Sequence, residues 1–339
     1  MSECESIQEE SVTDPARNLA TVQQVLALDA IPGKDRIEMA TVLGYKVIVK
    51  KGLEVGDFGV FFEVDSVLDT TDPRFSFLKS PHIKTMKMNG FYSQGLFLPL
   101  EEVVTNAWEL SEGDDLTAVL GVEKYAPPVN ETRRASRTRP WPSWAPPKTD
   151  ELRLQSNPGL LDAILESEDG WYVTQKLDGS SMTVGMVDGV LRTCSRNLEV
   201  EDGPFFEFSK TLPPFTEGYV FQGELCGPGI QKNPLGLTKK EFFVFNVFFE
   251  GEELNYEASR NAIRHFGLKC VPTVIEPLPV GNDYSLDNLI KFSEALSYPT
   301  GKPAEGIVIR PVTPGTYNHR GQNIRLSAKI INPLYELNQ

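Results

Sequence analysis

A proline-rich segment near the middle of the chain, residues 121–148, most constrains how the 339 residues can fold. It contains six prolines and four arginines and ends in PWPSWAPPK. Proline fixes one backbone dihedral and lacks an amide donor, so the segment predicts an extended linker. Because the chain is also longer than one hydrophobic core usually accommodates, we expect a domain on each side.

The part before the linker is predicted to be an all-β domain over residues 18–120. Its runs YKVIVKKG, DFGVFFEVDS and GFYSQGLFLPL are short, β-rich and separated by glycine-containing turns. Strands at this spacing favour a small barrel, and an OB-fold is the type often attached to nucleic-acid enzymes. Residues 1–17 are acidic and polar, which predicts a disordered lead-in.

The part after the linker, residues 149–339, mixes strand and helix patterns, so the whole chain is expected to be α+β. Predicted strands are WYVTQ, SMTVGMV, YVFQGEL, FFVFNVFF, EGIVIR and NIRLSAKI. The segments with the apolar spacing of helices are GLLDAILES, YEASRNAIRHFG and SLDNLIKFSEAL.

The charge balance points away from nucleic acid, but only as a global average. The net charge is −14, whereas phosphate binding depends on cations. A local basic groove can nevertheless lie on an acidic protein. The arginines between residues 133 and 139 are one candidate, and a solvated linker explains them equally well.

Cysteine usage and hydropathy predict an intracellular protein, cytoplasmic or nuclear. The four cysteines are not paired at metal-ligand spacing, which is typical of free thiols in a reducing compartment. Residues 1–17 lack the basic and apolar blocks of a signal peptide, and no run of 18 apolar residues predicts a membrane span.

The segment QKLDGSS carries the main chemical signal, with Lys176, Asp178 and Gly179 directly after a predicted strand. By itself, K-x-D-G also fits an ordinary turn at a strand end. The further segments that follow it in order are CSRN, FQGELCGPGIQKN, FFVFNVF, AEGIVIRP and RLSAKIIN.

Together these segments resemble the covalent nucleotidyltransferases, the superfamily of ATP-dependent ligases and mRNA capping enzymes. GPGIQKN is similar to the RNA ligases that seal nicked duplexes. The barrel runs and PKTDELRLQ resemble RNA ligases with an N-terminal OB domain. The resemblance implies an adenylyltransferase domain of antiparallel sheets flanked by helices over residues 149–339. It also implies that Lys176 attacks ATP and becomes a lysyl-AMP, with Mg²⁺ or Mn²⁺ as the metal.

The resemblance assigns roles to further residues. It places Glu224 on the ribose, Arg196 on the nucleotide, and Phe245 and Val308 on the two faces of adenine, with Gln175 near the base edge. Asp178 and Glu305 are oxygen ligands of the kind that Mg²⁺ prefers. Lys329 would stabilise charge on the α-phosphate, and Arg153 would contact the reacting phosphates. Two positions depart from many relatives: Ile331 replaces a second lysine, and Asn246 replaces an aspartate.

The RNA-binding residues are expected to be Lys84, Lys87, Arg133 and Arg134. Lys84 and Lys87 lie on the run IKTMKM and would share one face of an extended strand. The implied partner is RNA with 3′-OH and 5′-phosphate ends, possibly at a nick in a duplex, bound by a monomer.

Two other functions remain open. A DNA ligase or a capping guanylyltransferase would share the first step. Capping enzymes normally carry their OB domain after the catalytic domain, and only about ten residues follow Lys329. A non-catalytic RNA-binding protein with a decayed ligase domain is the third alternative. The intact Lys176, Glu224, Glu305 and Lys329 argue against it.

Overall fold

The structure, a computed structural model, describes residues 17–88, 90–105, 107–126, 136–148, 150–281 and 284–338. The predicted lead-in therefore lies outside the described residues, apart from Arg17. Arg133 and Arg134 also lie outside them. In the described part of the chain, no helix is long and apolar enough to cross a membrane.

The N-terminal unit is a small β-barrel, as predicted. Its elements are β1 (Ala20–Gln24), β2 (Ala27–Ala30), β3 (Ile37–Val42), β4 (Tyr45–Lys50), β5 (Phe58–Phe62), β6 (Ser66–Val67), β7 (Met86–Met88), β8 (Phe91–Ser93), β9 (Leu96–Pro99), helix α1 (Leu100–Val103) and β10 (Glu123–Lys124). One sheet has the order β1-β5-β9 and another β2-β3-β4. They enclose a core in which Phe61 and Phe97 of the first sheet pack against Val47 of the second.

The run GFYSQGLFLPL forms two strands, β8 and β9, because the chain turns sharply at Gly95. Gly95 has a φ of 86°, and a Cβ there would come within 2.6 Å of the carbonyl oxygen of Phe62. Only glycine meets both requirements.

The C-terminal unit is built on two larger sheets, so the predicted α+β class is confirmed. Its strands are β11 (Thr138–Arg139), β12 (Leu152–Arg153), β13 (Trp171–Lys176), β14 (Ser180–Val187), β15 (Val190–Cys194), β16 (Glu199–Val200), β17 (Tyr219–Cys226), β18 (Glu241–Phe249), β19 (Glu252–Glu253), β20 (Lys269–Cys270), β21 (Thr273–Leu278), β22 (Gly306–Pro311), β23 (Thr316–His319), β24 (Gln322–Arg325) and β25 (Ala328–Ile331). The helices are α2 (Gly159–Leu165), α3 (Gly203–Ser209), α4 (Tyr256–His265), α5 (Leu286–Ala295) and α6 (Pro333–Glu336).

One sheet has the order β11-β16-β15-β14-β17-β18-β19, with β20 also pairing with β18, and the other β12-β25-β22-β13-β21. The pairs β12–β25 and β18–β20 are parallel and the other pairs are antiparallel. Helices α2 and α5 pack on the second sheet through Leu160, Ile164 and Leu289, all nearly inaccessible. Their predicted apolar spacing is therefore explained by burial of one face.

The described parts of the proline-rich segment lie against both units. Strand β10 pairs with β6 of the barrel, and β11 adds to the edge of the large sheet. Trp144 donates a hydrogen bond from its indole nitrogen to Glu199 at 3.1 Å. Proline keeps this stretch extended, and the two tryptophans beside it provide apolar area for packing.

Candidate active site

A cleft of about 1350 Å³ lies between the barrel and the C-terminal unit. It is lined by both sheets of the C-terminal unit and by one side of the barrel. The predicted residues that line it are Gln175, Lys176, Asp178, Arg153, Arg196, Glu224, Phe245, Glu305, Val308, Lys329 and Lys84. Residues far apart in the chain therefore meet at one site.

Lys176 lies at the end of β13, where its backbone pairs with Gly306 of β22. Its Nζ donates a hydrogen bond to Glu305 Oε1 at 2.6 Å. Burial opposes the charged amine, but the carboxylates of Glu305 and Glu224 outweigh burial and raise the pKa of Lys176 above its ordinary value. Metal ions and other cations in the pocket would lower this pKa. The carboxylates around the ligand-free lysine have the opposite effect.

Tyr298, which the sequence did not single out, holds the turn around Lys176. Its hydroxyl accepts hydrogen bonds from the amides of Asp178 at 2.9 Å and Glu305 at 3.0 Å, and donates to the carbonyl of Lys176 at 3.1 Å. The side chain is 3% exposed. A tyrosine 120 residues away carries no sequence signal for this role, because the contact depends on tertiary packing alone.

Close packing explains why the residue after Asp178, Gly179, is a glycine. A Cβ at this position would lie 2.6 Å from the carbonyl oxygen of Leu225 and 2.8 Å from the side chain of Glu224. The close approach of β17 therefore excludes any other residue without displacement of the strand. It also brings Glu224 next to the lysine turn.

The floor of the cleft contains a row of side chains that crosses the second sheet. Thr174 of β13 pairs with Val308 of β22, Val308 pairs with Lys329 of β25, and Lys329 pairs with Arg153 of β12. Directly paired residues point to the same face of a sheet. Two cations are thus adjacent, and burial together with Lys176 lowers the pKa of Lys329 to about 8.

The remaining predicted residues are placed as follows. The guanidinium of Arg310 lies 5.7 Å from the centre of the Phe245 ring, and Arg196 forms an ion pair with Asp150. Lys84 lines the cleft. Lys87 is exposed, but it is not among the cleft residues. The expectation that these two lysines share a strand face was wrong, because β7 begins at Met86 and a spacing of three places residues on opposite faces.

The sequence analysis also did not predict a buried ion pair beside the cleft. Arg310 Nη2 donates to Glu151 Oε1 at 2.8 Å, with side chains 6% and 10% exposed. Both residues lie in segments that the sequence had marked, DELRLQ and AEGIVIRP, but nothing in a linear pattern indicates that they pair. Within the described residues, no group of three or more His, Cys, Asp or Glu side chains is arranged to hold a metal ion.

Glu224 is expected to make the ligand-free protein less stable as the pH rises. Burial raises its pKa to about 8, from an ordinary value of 4.5. Between these values the unfolded chain has released the proton and the folded protein retains it, so stability falls with increasing pH. Glu224→Gln should remove this dependence. Relative to the variant, the wild type should lose about 1–3 kcal/mol between pH 5.5 and 8.5 in urea unfolding. Parallel curves for the two proteins would contradict the assignment.

The barrel, the two-sheet domain and a lysine among carboxylates and cations define a covalent nucleotidyltransferase of the ligase type. Comparisons with known proteins agree. Residues 19–100 match a family model described as an OB-fold domain, and residues 169–331 match the RNA ligase family model. No curated protein sequence matches the chain.

Solved structures of Naegleria gruberi RNA ligase have the same fold over nearly the whole chain. The structure with PPi is 26% identical, covers 94% of this chain and 98% of its own, and has a TM-score of 0.75. A variant with ATP and Mn is 25% identical, covers 95% and 99%, and has a TM-score of 0.76. Another variant, with AMP and Mn, is 25% identical, covers 95% of this chain and 99% of its own, and has a TM-score of 0.74. Residues 169–331 thus belong to the RNA ligase family, and they follow an OB-fold domain at residues 19–100.

Proposed function

We propose that the chain joins RNA 3′-OH and 5′-phosphate ends with ATP, through a lysyl-AMP on Lys176. The observation that carries the proposal is the position of Lys176 at the floor of the cleft. Its amine lies against Glu305, with Glu224 nearby and with Lys329 on the same sheet face as Val308. Nucleophile, carboxylates and phosphate-binding cations thus surround one space.

In the first step, the Lys176 amine attacks the α-phosphorus of ATP. A P–N bond forms, the bond to the leaving pyrophosphate breaks, and the lysine loses its proton. Lys329 and Arg153 are placed to neutralise the charge on the phosphates, which is the main task in phosphoryl transfer. Phe245 and Val308 line the cleft where a base can stack, and Glu224 is available to accept hydrogen bonds from ribose hydroxyls.

Asp178 and Glu305 fit a divalent cation by chemistry, since both offer carboxylate oxygens in the cleft. A Mg²⁺ or Mn²⁺ ion there would neutralise Glu305, and so favour the uncharged amine of Lys176. The relatives solved with Mn and a nucleotide support this assignment.

In the second step, AMP passes from Lys176 to the RNA 5′-phosphate. In the third step, the 3′-OH attacks this phosphate and AMP leaves. Lys84 on the barrel side of the cleft, Lys87 on the neighbouring hairpin and the arginines of residues 133–139 are our candidates for holding the strand. Because the protein is acidic overall, this binding should weaken steeply with salt. The substrate that we favour is a nick in a duplex, and we expect the protein to seal it as a monomer.

The test is incubation with labelled ATP or GTP and Mg²⁺ or Mn²⁺, followed by a denaturing gel and then by defined nicked RNA and DNA. We expect covalent labelling at least about tenfold stronger with ATP than with GTP, because a base-edge contact near Gln175 distinguishes the purines. Equal labelling by GTP would favour a capping-type enzyme. Sealing of DNA nicks alone would favour a DNA ligase.

A further inference from the structure

The carboxylate of Glu336 connects the two units of the protein at the edge of the cleft. Glu336 ends helix α6, and its side chain is 6% exposed. Oε1 accepts a hydrogen bond from Arg153 Nη1 at 2.7 Å. Oε2 accepts from two barrel residues, Thr85 Oγ1 at 2.7 Å and Gln94 Nε2 at 3.0 Å. One carboxylate thus receives donors from both sides of the domain boundary.

Arg153 is the residue of this connection that would contact the nucleotide. It is the register partner of Lys329, so its side chain lies beside the lysine at the cleft. Its side chain is 13% exposed, and Asp65 of the barrel lies 3.8 Å from Nη2. The guanidinium is therefore held between a carboxylate of the barrel and the carboxylate of Glu336.

Other contacts already dock the barrel without Glu336. The amide of Gly44 donates to the carbonyl of Gln155 at 2.9 Å, and the hydroxyls of Tyr45 and Ser156 are 2.7 Å apart. A Cβ at Gly44 would lie 2.8 Å from the Cα of Gln155, so the backbones are in close contact there. Loss of the Glu336 carboxylate should therefore leave the units together.

We propose that Glu336 is a positioning residue, which orients the Arg153 guanidinium for the phosphates while the barrel orients Glu336. The inference rests on the proposed function, since it presumes a nucleotide in the cleft. A free arginine side chain loses rotamer entropy when it grips the phosphates, and a side chain that is already fixed has lost it before the nucleotide binds. Through this carboxylate, the barrel contributes to adenylylation as well as to RNA binding.

Glu336→Gln is the most direct test, because the amide keeps the size of the side chain and removes the charge. We expect the rate constant of self-adenylylation to fall about 10- to 100-fold, the cost of a small misplacement of a group that contacts the transition state. The KM for ATP should change less than about threefold. Thr85→Val, which retains the Arg153–Glu336 pair, should cause a smaller loss.

Two comparisons separate positioning from mere structural support. Arg153→Ala and the double variant Arg153→Ala/Glu336→Gln should adenylylate at the same rate, because Glu336 acts only through Arg153. Multiplied losses in the double variant would overturn the proposal. Tyr92→Phe removes another contact between the units, the bond from Tyr92 to Glu294, and should label like the wild type.

The failure of this proposal is distinguishable from failure of the proposed function. If the wild type forms no covalent AMP adduct, the function itself is wrong. If the wild type labels and Glu336→Gln labels at the same rate, only the positioning role is wrong. Should Glu336→Gln fail to fold, Thr85→Val decides: a loss of labelling that disappears in the Arg153→Ala background supports the proposal, and an unchanged rate overturns it.

Discussion

Lys176→Ala is expected to abolish covalent AMP labelling, with a loss of at least about 1000-fold in the rate of adenylylation. Lys329, the lysine of the row on the cleft floor, cannot replace it without displacement, because it lies on β25, two strands away across the sheet. The measurement is a time course with labelled ATP on a denaturing gel.

Two controls make the result specific for the nucleophile. Lys291→Ala, which removes an exposed lysine from helix α5, should label normally. Lys176→Ala should still seal RNA that already carries a 5′-adenylate, because this substrate bypasses the lysine step. Wild-type labelling by the folded Lys176→Ala protein would show that another residue is the nucleophile.

Arg310→Met is expected to lower the free energy of unfolding by about 3–5 kcal/mol. The guanidinium is buried and is the ion-pair partner of Glu151, at 2.8 Å. Its removal takes the ion-pair partner from a buried carboxylate, and this costs more than the lost packing. Because Arg310 also lies over the Phe245 ring, ATP labelling should fall as well.

Urea unfolding at neutral pH measures the effect, and the double variant Glu151→Gln/Arg310→Met provides the control. Replacing both charges removes the carboxylate that has lost its partner, so much of the stability should return. Equal destabilisation in the single and double variants would indicate that packing, rather than charge, explains the loss.

Sequence reasoning was most reliable where a local pattern has a single structural consequence. The amphipathic spacing predicted α2, α4 and α5, and the β-rich runs predicted the barrel. It was least reliable for which side chains share a face and which residues form pairs. The prediction that Lys84 and Lys87 share a face failed because β7 begins only at Met86 and a spacing of three places strand residues on opposite faces. Helices α3 and α6 carried no clear apolar period.

By itself, the sequence indicated the order of the domains, because strand and helix periodicity is a local property of the chain. It indicated the class of protein through the resemblance of the motif order around Lys176 to the nucleotidyltransferases. Only the tertiary structure decided which distant groups meet. Tyr298 reaches the lysine turn, Arg310 pairs with Glu151, and Glu336 receives donors from both units. These contacts join residues 122 to 251 positions apart, and buried charges and hydroxyls have no sequence period of their own. Their partners are set by the packing of sheets and domains, since a buried polar group is stable only where a partner is brought to it.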